Sequence, residues 1–263
     1  MNSISKKYET IIGLEVHVQL STKSKAYCSD SYSFGESPNS CVSPISLGHP
    51  GTLPKPNKKV IESAIKLGLA LNCNITKFNE YARKNYYYAD LPKGYQITQD
   101  KTPICTGGSV EILTQSNSKK INLTRIHMEE DAGKSIHDLD PFNSLIDLNR
   151  AGVPLLEIVS EPEIRSSKEA YDYLQEVRKL VRFLDICNGN MEEGSLRCDA
   201  NISVRPFGTN KLRNRVEVKN LNSFSNVQKA IDSEVIRQIH VYENGGDIEQ
   251  ETRNYNPKKN ETI

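Results

Sequence analysis

The sequence predicts an α+β fold in which a mostly antiparallel sheet carries helices on one face. Three observations support this prediction. The chain of 263 residues has 37% hydrophobic and 25% charged residues, a composition ordinary for a folded domain. Several segments alternate strictly between apolar and polar residues, which is typical of strands with one buried face. Amphipathic segments with helical spacing lie between them, and their apolar sides are expected to cover the apolar face of the sheet.

Four segments carry the strand pattern. In residues 12–20, Leu14 and Val16 point to one side of the strand, while Glu15 and His17 point to the other. Similar alternation occurs in residues 121–129, 198–204 and 215–219. One-sided strands favour an antiparallel or mixed sheet, so we expect these four segments to lie near one another.

Three segments predict helices. The most regular spans residues 166–184 and opens on S-S-K-E, a capping box between Ser166 and Glu169. The others span residues 57–71 and 225–242. We expect one domain over residues 1–253 and, because residues 254–263 show no periodicity, an unstructured tail after it.

Charge and composition exclude several classes of protein. The chain has 34 Lys and Arg against 33 Asp and Glu, so a surface devoted to nucleic acid is not expected, and any RNA contact must be local or shared with a partner. No apolar run approaches the ~18 residues of a membrane span. The six cysteines include no C-x-x-C pair and indicate reduced thiols. We therefore predict a cytoplasmic protein without a membrane partner.

The polar faces of the four strands carry the residues suited to chemistry. They supply carboxylates, imidazoles and cations: Glu15, His17, His127, Glu129, Arg197, Asp199, Arg215, Glu217 and Lys219. Carboxylates crowded on neighbouring strands repel unless a cation compensates them, which predicts a divalent ion. Mostly oxygen ligands favour Mg²⁺ or Mn²⁺, with zinc as the minority alternative because of His17. Arginine and lysine beside the ion suit phosphate oxygens, although an ordinary solvated face remains the alternative for any one strand.

Two further segments bear on phosphate binding. Gly133, Lys134 and Ser135 imitate the end of a phosphate-binding loop, but Met128 stands where that motif needs an earlier glycine. ATP must therefore be bound by another geometry. Residues 83–95 interleave basic side chains with tyrosines, which suits either a phosphodiester and a stacked base or a tyrosine-rich strand and turn.

Six motifs together carry a resemblance to a known family. They are G-L-E-V-H-V-Q-L, R-K-N-Y-Y-Y-A-D-L-P-K-G-Y-Q-I, H-M-E-E-D-A-G-K, D-L-N-R-A-G-V-P-L-L-E-I-V-S-E-P, M-E-E-G-S-L-R-C-D-A-N-I-S-V-R-P and E-V-K-N-L-N-S-F. In this order they closely resemble the B subunits of aspartyl/glutamyl-tRNA amidotransferases. The resemblance implies a cradle-like catalytic domain over residues 1–253, with a fold similar to glutamine synthetase and the guanidino kinases.

The resemblance also implies an activity and partners. In the family, ATP phosphorylates the side-chain carboxylate of Glu-tRNA(Gln) or Asp-tRNA(Asn), and ammonia released by the glutaminase, which is the A subunit, then forms the amide. The expected enzyme is thus a glutamine-hydrolysing ligase that works with the A and C subunits on misacylated tRNA. Relatives continue into a helical and a tail domain, so we expect this chain to be a fragment. The alternatives are a non-catalytic scaffold that presents tRNA, or a metal-dependent phosphohydrolase.

Site residues follow from matching the family motifs. The resemblance implies metal binding by the acidic and histidine residues Glu15, His17, Glu129, Glu130, Asp199 and Glu217. It also implies a site cation at Lys84, and we assign catalytic roles to Lys84, Glu130, Arg197 and Glu217. On geometry alone we add Arg197, Arg205 and Lys219 to Lys84 as contacts for ATP. His127 is equally consistent with a structural role.

One expected difference from relatives concerns zinc. Many of them carry four cysteines after the first strand, and the matching positions here are Cys28, Asp30, Ser43 and Ser46. Cys41 is out of register. A structural zinc site needs a nearly full set of soft ligands, so no zinc is expected.

Overall fold

The computed structural model describes residues 7–113 and 117–263. Residues 1–6, which belong to the predicted domain, lie outside the described residues. The helices are α1 (Lys58–Ala70), α2 (Ser167–Phe183) and α3 (Phe224–Glu243). The strands are β1 (Tyr8–Gln19), β2 (Asn74–Ile75), β3 (Ala82–Asn85), β4 (Tyr95–Thr98), β5 (Cys105–Thr106), β6 (Ser109–Leu113), β7 (Ser118–Glu130), β8 (Lys134–Ile136), β9 (Leu145–Asp147), β10 (Pro154–Ser160), β11 (Leu196–Pro206), β12 (Val216–Lys219), β13 (Glu251–Asn256) and β14 (Glu261–Thr262).

One large sheet organises the described part of the chain. Its strand order is β14-β13-β12-β11-β1-β10-β7-β5-β2, with β6 also paired to β7. The pairing of β12 with β13 is parallel, whereas β1, β7, β10 and β11 pair antiparallel with their neighbours. The four predicted strands are confirmed as β1, β7, β11 and β12. The likeness to the glutamine synthetase and guanidino kinase fold remains a prediction.

Strand β10 lies at the centre of the sheet, between β1 and β7, and the alternation pattern did not predict it. Its sequence, P-L-L-E-I-V-S, has apolar residues on both faces. Leu155 and Leu156, which point to opposite faces, are 2% and 0% exposed. Unlike an alternating strand, β10 is therefore buried on both faces. A short, doubly buried strand cannot be distinguished from other apolar segments by periodicity.

The predicted helices are confirmed, and each begins at a polar cap. The side chains of Asn57, Ser166 and Ser223 accept hydrogen bonds from backbone N–H groups in the first turns of α1, α2 and α3. Apolar residues of all three helices join one core with the apolar sides of β1, β7, β10 and β11. This packing leaves the other sheet face to polar residues. No helix in the described ranges is long and apolar enough to cross a membrane.

The expectation of an unstructured tail over residues 254–263 is wrong. Strand β13 adds to β12, and β14 returns antiparallel to β13. The Tyr255 side chain is 1% exposed, and Thr262 Oγ1 donates a hydrogen bond of 2.6 Å to the buried Glu234 carboxylate on α3. Strand pairing and individual buried contacts, rather than a repeating apolar pattern, therefore hold this segment.

Glu234 gives the fold a predicted pH dependence. Its burial opposes ionisation, but hydrogen bonds from Arg237, Thr262 and Gln238 outweigh that effect and lower the pKa of Glu234 below its ordinary value of 4.5. A lowered folded-state pKa stabilises the protein above the unfolded-state pKa, and this stabilisation is lost as the pH falls through the folded-state pKa. We expect the stability difference between wild type and Glu234→Gln in urea titrations to shrink below pH 4.5. A difference that is constant over this acid range would contradict the assignment.

Candidate metal and phosphate site

Strand register brings polar side chains together on the uncovered sheet face. His17 on β1 lies opposite Arg197 on β11 and opposite Glu157 on β10. Glu157 in turn lies opposite His127 on β7. These four residues form a row across the sheet. Next to this row, Glu15 lies opposite Asp199 on β11.

The centre of this face is a cluster of two histidines and two carboxylates, which we call the carboxylate–histidine cluster: His17, His127, Glu129 and Glu157. His127 Nε2 lies 3.2 Å from Glu157 Oε2 and 3.5 Å from Glu129 Oε2. His17 Nε2 lies 3.4 Å from the same Glu157 oxygen. His127, Glu129 and Glu157 are buried, and one ligand atom from each lies within 4.8 Å of the others. Such a donor set fits a divalent cation.

The imidazoles control the charge of Glu157. Burial would raise the pKa of Glu157, but hydrogen bonds with His127 and His17 outweigh burial and lower it. Burial likewise opposes the charge on His127, whereas its hydrogen bonds with Glu129 and Glu157 raise its pKa. The two residues thus stabilise each other's charged forms.

Glu15 shows the crowding of negative charge that the sequence predicted. Burial raises the pKa of Glu15, and the charges of Glu157, Glu217 and Asp199 add to that rise, while a hydrogen bond from Asn201 opposes it. A bound divalent ion would relieve this repulsion and favour the ionised carboxylate. The residues that would hold such an ion are those of the carboxylate–histidine cluster, with Glu15 beside them.

Three predicted cations border the same face. Lys219 Nζ lies 2.7 Å from Asp199 Oδ2 and 3.0 Å from Glu217 Oε1. Lys84, on the β3–β4 hairpin, places its Nζ 3.7 Å from Glu129 Oε1, and 61% of its side chain stays exposed. Arg197 donates to Asp131 Oδ2 at 2.8 Å. Of these, Lys84 is the one whose exposure leaves it most available to an incoming anion.

Of the predicted metal ligands, only His17 and Glu129 belong to the cluster, and Glu15, Asp199 and Glu217 lie beside it. Two further predicted residues are held away from it. Glu130 follows Glu129 on β7 and turns to the opposite side, where it pairs with Lys93 and accepts from the backbone N–H of Ile97 at 2.8 Å. Burial raises the pKa of Glu130, which this lysine opposes. Arg205 lies at the far end of β11 and donates to Glu9 at 2.7 Å. Both residues are held in other ion pairs.

Sequence reasoning missed Glu157 and left His127 undecided. Glu157 belongs to β10, which the alternation pattern did not predict, so alternation does not assign its side chain to the polar face. One signal was present in the sequence: Glu157 is a charged residue flanked by Leu155, Leu156, Ile158 and Val159. A charge in such surroundings is rarely buried without a partner.

Comparison with known proteins identifies the family. Residues 10–263 match the family model described as the GatB/GatE catalytic domain. The chain belongs to this family. It is 55% identical over 255 residues to the B subunit of the aspartyl/glutamyl-tRNA(Asn/Gln) amidotransferase of Chlorobium chlorochromatii, and 57% identical over 256 residues to that of Pelodictyon phaeoclathratiforme. The similarity covers 97% of this chain in both cases, and the protein of the same name from Thermodesulfovibrio yellowstonii is 54% identical over 247 residues, or 94% of this chain.

The resemblance carried by the six motifs is thereby confirmed. The matches cover 54%, 54% and 52% of the three relatives, so the chain spans about half their length. The matched range of the GatB/GatE catalytic domain also includes the segment expected to be a tail, in agreement with its two strands.

In this GatB/GatE catalytic domain, Gly133 has a steric role. The similarity of residues 133–135 to a phosphate-binding loop does not indicate this role. A Cβ at this position would lie 2.8 Å from the carbonyl oxygen of Asp147 and 2.9 Å from that of Asp90. Gly133 N–H also donates to the Asp90 carbonyl at 2.8 Å. The absence of a side chain therefore lets three backbone segments meet beside the site.

We expect Gly133→Ala to destabilise the protein by about 1–3 kcal/mol, because backbone must shift to admit the methyl group. Urea unfolding would measure this cost. Gly13→Ala is the matched control, since its Cβ would meet nothing closer than 3.7 Å, and a change within about 0.5 kcal/mol is expected. Equal stabilities of the two variants would contradict the steric role.

Hydrogen bonds hold the loop whose residues match the four cysteines expected in many relatives. Ser46 Oγ donates to Asp30 Oδ2 at 2.6 Å and accepts from the Ser43 N–H at 2.9 Å. Burial raises the pKa of the Cys28 thiol to about 11. Such a thiol must lose its proton before it can bind a metal. The absence of zinc remains a prediction.

Proposed function

We propose that this chain carries the ATP-dependent step of a tRNA-dependent amidotransferase. In this step the side-chain carboxylate of Glu-tRNA(Gln) or Asp-tRNA(Asn) is phosphorylated and then amidated. The observation that supports the proposal is the buried carboxylate–histidine cluster bordered by Lys84 and Lys219, in a family whose relatives bear the amidotransferase name. The alternatives, a tRNA-presenting scaffold or a phosphohydrolase, become outcomes of the test below.

The chemistry requires activation because a carboxylate is a poor acyl donor. One carboxylate oxygen of the substrate attacks the γ-phosphorus of ATP, the bond to the bridging oxygen breaks, and ADP leaves. Ammonia then attacks the carbonyl carbon of the acyl phosphate, phosphate leaves, and a proton is lost to give the amide. Dividing one difficult substitution into two easier ones lowers the barrier of each.

The residues of this chain would bind and orient the charged groups. His127, Glu129 and Glu157, with His17 and Glu15 beside them, would hold Mg²⁺ or Mn²⁺. When bound, the ion supplies charge neutralisation for phosphoryl transfer. Lys84 would bind phosphate oxygens from its exposed position, while Arg197 and Lys219 keep the acidic residues around the site in place.

The proposed function also implies the partners, the substrate and the location of the protein. The partners would be the A and C subunits of the amidotransferase, with the A subunit supplying ammonia as the glutaminase. Misacylated tRNA would supply the carboxylate. The ligase would work in the cytoplasm, where protein synthesis supplies charged tRNA.

Phosphate release from ATP tests the proposal. It would be measured on the protein at its natural length in its native assembly, with and without Glu-tRNA(Gln) or Asp-tRNA(Asn). Release that requires the misacylated tRNA is the expected result. Release at the same rate without tRNA would indicate a phosphohydrolase instead. Binding of charged tRNA without any ATP turnover would indicate a scaffold and overturn the proposal.

A further inference from the structure

A cavity of about 440 Å³ lies between the helices, at the end of the sheet where β11 begins and β12 ends. We call it the Arg178 cavity. Arg178 and Arg182 of α2 form one wall, the loop of residues 188–192 forms another, and Asn222 with the first residues of α3 forms the third. No residue of the carboxylate–histidine cluster lines it, so the cavity is separate from the site described above.

The two arginines of this cavity have no acidic partner. Within the described ranges, neither side chain forms an ion pair or a hydrogen bond, and Arg178 Nε is also shielded from solvent. Arg178 Cζ lies 5.8 Å from the centre of the Phe224 ring, near the limit for a cation–π contact, and this contact leaves Nε without an acceptor. A buried charged donor without an acceptor is costly. This wall therefore favours an anionic ligand, and guanidinium groups suit phosphate oxygens in particular.

Gly189 holds both arginine stems beneath the loop. A Cβ at this position would lie 2.9 Å from Arg178 Cγ and 3.3 Å from Arg182 Cδ. The φ of Gly189 is +69°, a left-handed conformation that favours glycine. Because the arginines are four residues apart on α2, their side chains lie on the same side of the helix. The loop thus orders the two guanidinium groups as a pair before any ligand binds.

The rest of the lining offers amide groups and one carboxylate. Asn190 Oδ1 accepts from the Glu192 N–H at 3.0 Å, whereas its Nδ2 has no partner among the residues that the structure describes. Asn222 donates from Nδ2 to Asn220 Oδ1 at 3.2 Å and retains its own oxygen. Such amides can hydrogen-bond the edges of unpaired bases. Glu192 is exposed, and the two arginines leave the lining with a net positive charge.

The Arg178 cavity adjoins a larger cavity on the polar sheet face. This second cavity has a volume of about 760 Å³, is lined by Arg197, and shares Met191, Glu192 and Asn222 with the first. Arg197 lies opposite His17 of the carboxylate–histidine cluster. The two cavities therefore form one route around the end of the sheet, from the helices to the cluster.

A single strand of RNA fits this route better than a free anion or an acidic peptide. A free anion would fill one cavity and would not need their continuity. An acidic peptide would pair with the arginines but would leave the amides of Asn190 and Asn222 unexplained. A nucleic acid strand supplies phosphates for the arginines and base edges for the amides along a continuous path.

We infer that Arg178 and Arg182 bind backbone phosphates of the single-stranded 3′ end of tRNA, which carries the reacting amino acid toward the carboxylate–histidine cluster. This inference rests on the proposed function and names the path by which its RNA substrate enters. The two arginines contact the strand outside the reacting centre. They are therefore binding residues and take no part in the chemistry.

Binding of fluorescently labelled tRNA, measured by anisotropy over a range of salt concentrations, tests the inference. The protein would be used at natural length in its native assembly. The double variant Arg178→Met, Arg182→Met should raise the Kd about 10-fold. The slope of log Kd against log salt should fall by about 1.4, the value for two phosphate contacts on a single strand. Lys179→Met is the matched control, because Lys179 lies between the two arginines in sequence but faces Glu176, and it should change neither quantity.

A tRNA that lacks its single-stranded 3′ nucleotides locates the contact. Wild type and the double variant should bind this shortened RNA with the same Kd. An equal loss of affinity for both RNAs would place the phosphates elsewhere on the tRNA and overturn the route. A wild-type Kd and salt slope in the double variant would overturn the inference outright.

Three further measurements separate binding from folding, assembly and catalysis. The urea midpoint of the double variant should match wild type, since neither arginine has an ion pair to lose in the described part of the chain. The KM for misacylated tRNA should rise while the KM for ATP stays constant. Dissociation of the assembly by the double variant without tRNA would assign the arginines to a subunit contact and overturn the inference. A wild-type assembly that shows the expected tRNA binding but releases no phosphate from ATP would instead overturn the proposed function.

Discussion

Replacing Glu157 with glutamine should weaken Mn²⁺ binding about 100-fold and reduce the proposed ATP-dependent amidation by a similar factor. Glu157 is the carboxylate that contacts both imidazoles of the carboxylate–histidine cluster, at 3.4 Å from His17 and 3.2 Å from His127. The substitution keeps the size of the side chain but removes its charge. Titration with Mn²⁺, followed by electron paramagnetic resonance, measures ion binding independently of turnover.

Two other carboxylates make this experiment specific. Glu62→Gln, on the exposed side of α1, removes the same charge from the opposite side of the sheet and should change neither quantity. Glu217→Gln should have a smaller effect than Glu157→Gln, since Glu217 is engaged by Lys219 and Thr252 and lies outside the cluster. Wild-type Mn²⁺ affinity in Glu157→Gln would exclude the cluster as the metal centre.

The sequence alone was sufficient to predict those elements of the fold that a single physical rule determines. Strands β1, β7, β11 and β12 follow from alternation because one face of each meets the core and the other meets a polar surface. The capping of α2 follows from Ser166, whose hydroxyl accepts from the Glu169 N–H at 3.1 Å. The polar face, and the crowding of charge on it, could therefore be predicted before any contact was known.

The sequence was insufficient where tertiary burial replaced a local pattern. Strand β10 is apolar on both faces, so it shows no alternation of apolar and polar residues. The sequence pattern therefore did not indicate the direction of the Glu157 side chain. Glu130 and Arg205 show a different limit. The family motif that implies Glu130 carries no information on side-chain direction, and the assignment of Arg205 on geometry alone does not include its distance from the site. Adjacent residues of a strand point to opposite faces, so Glu129 and Glu130 cannot share a cluster. Arg205 is six residues beyond Asp199, which is about 20 Å along a strand.

Glu234 illustrates the same limit in the core. Residues Val227, Ala230 and Ile231 mark the buried side of α3, and Glu234 and Gln238 continue that side as polar residues. Glutamate and glutamine side chains are mostly exposed in proteins, yet both of these residues are 0% exposed. The donors that satisfy Glu234 include Thr262, 28 residues away in the segment that lacked any periodicity. Neither the buried glutamate nor the ordered end of the described chain could be predicted without the other.

Removing this carboxylate should therefore cost much of the stability of the fold. Glu234→Ala leaves Arg237, Gln238 and Thr262 without the acceptor that they contact at 2.6–2.9 Å, and breaking a buried charge pair in this way costs about 3–5 kcal/mol. Glu234→Gln keeps one acceptor oxygen and should lose less. Asp232→Ala, on the exposed side of the same helix, should stay within about 0.5 kcal/mol of wild type. Urea unfolding measures all three, and hydrogen exchange should show the amides of β13 and β14 losing protection first in Glu234→Ala, since Thr262 is then released. Loss of less than about 1 kcal/mol in this variant would mean that packing of Tyr255, rather than the carboxylate, fixes these strands.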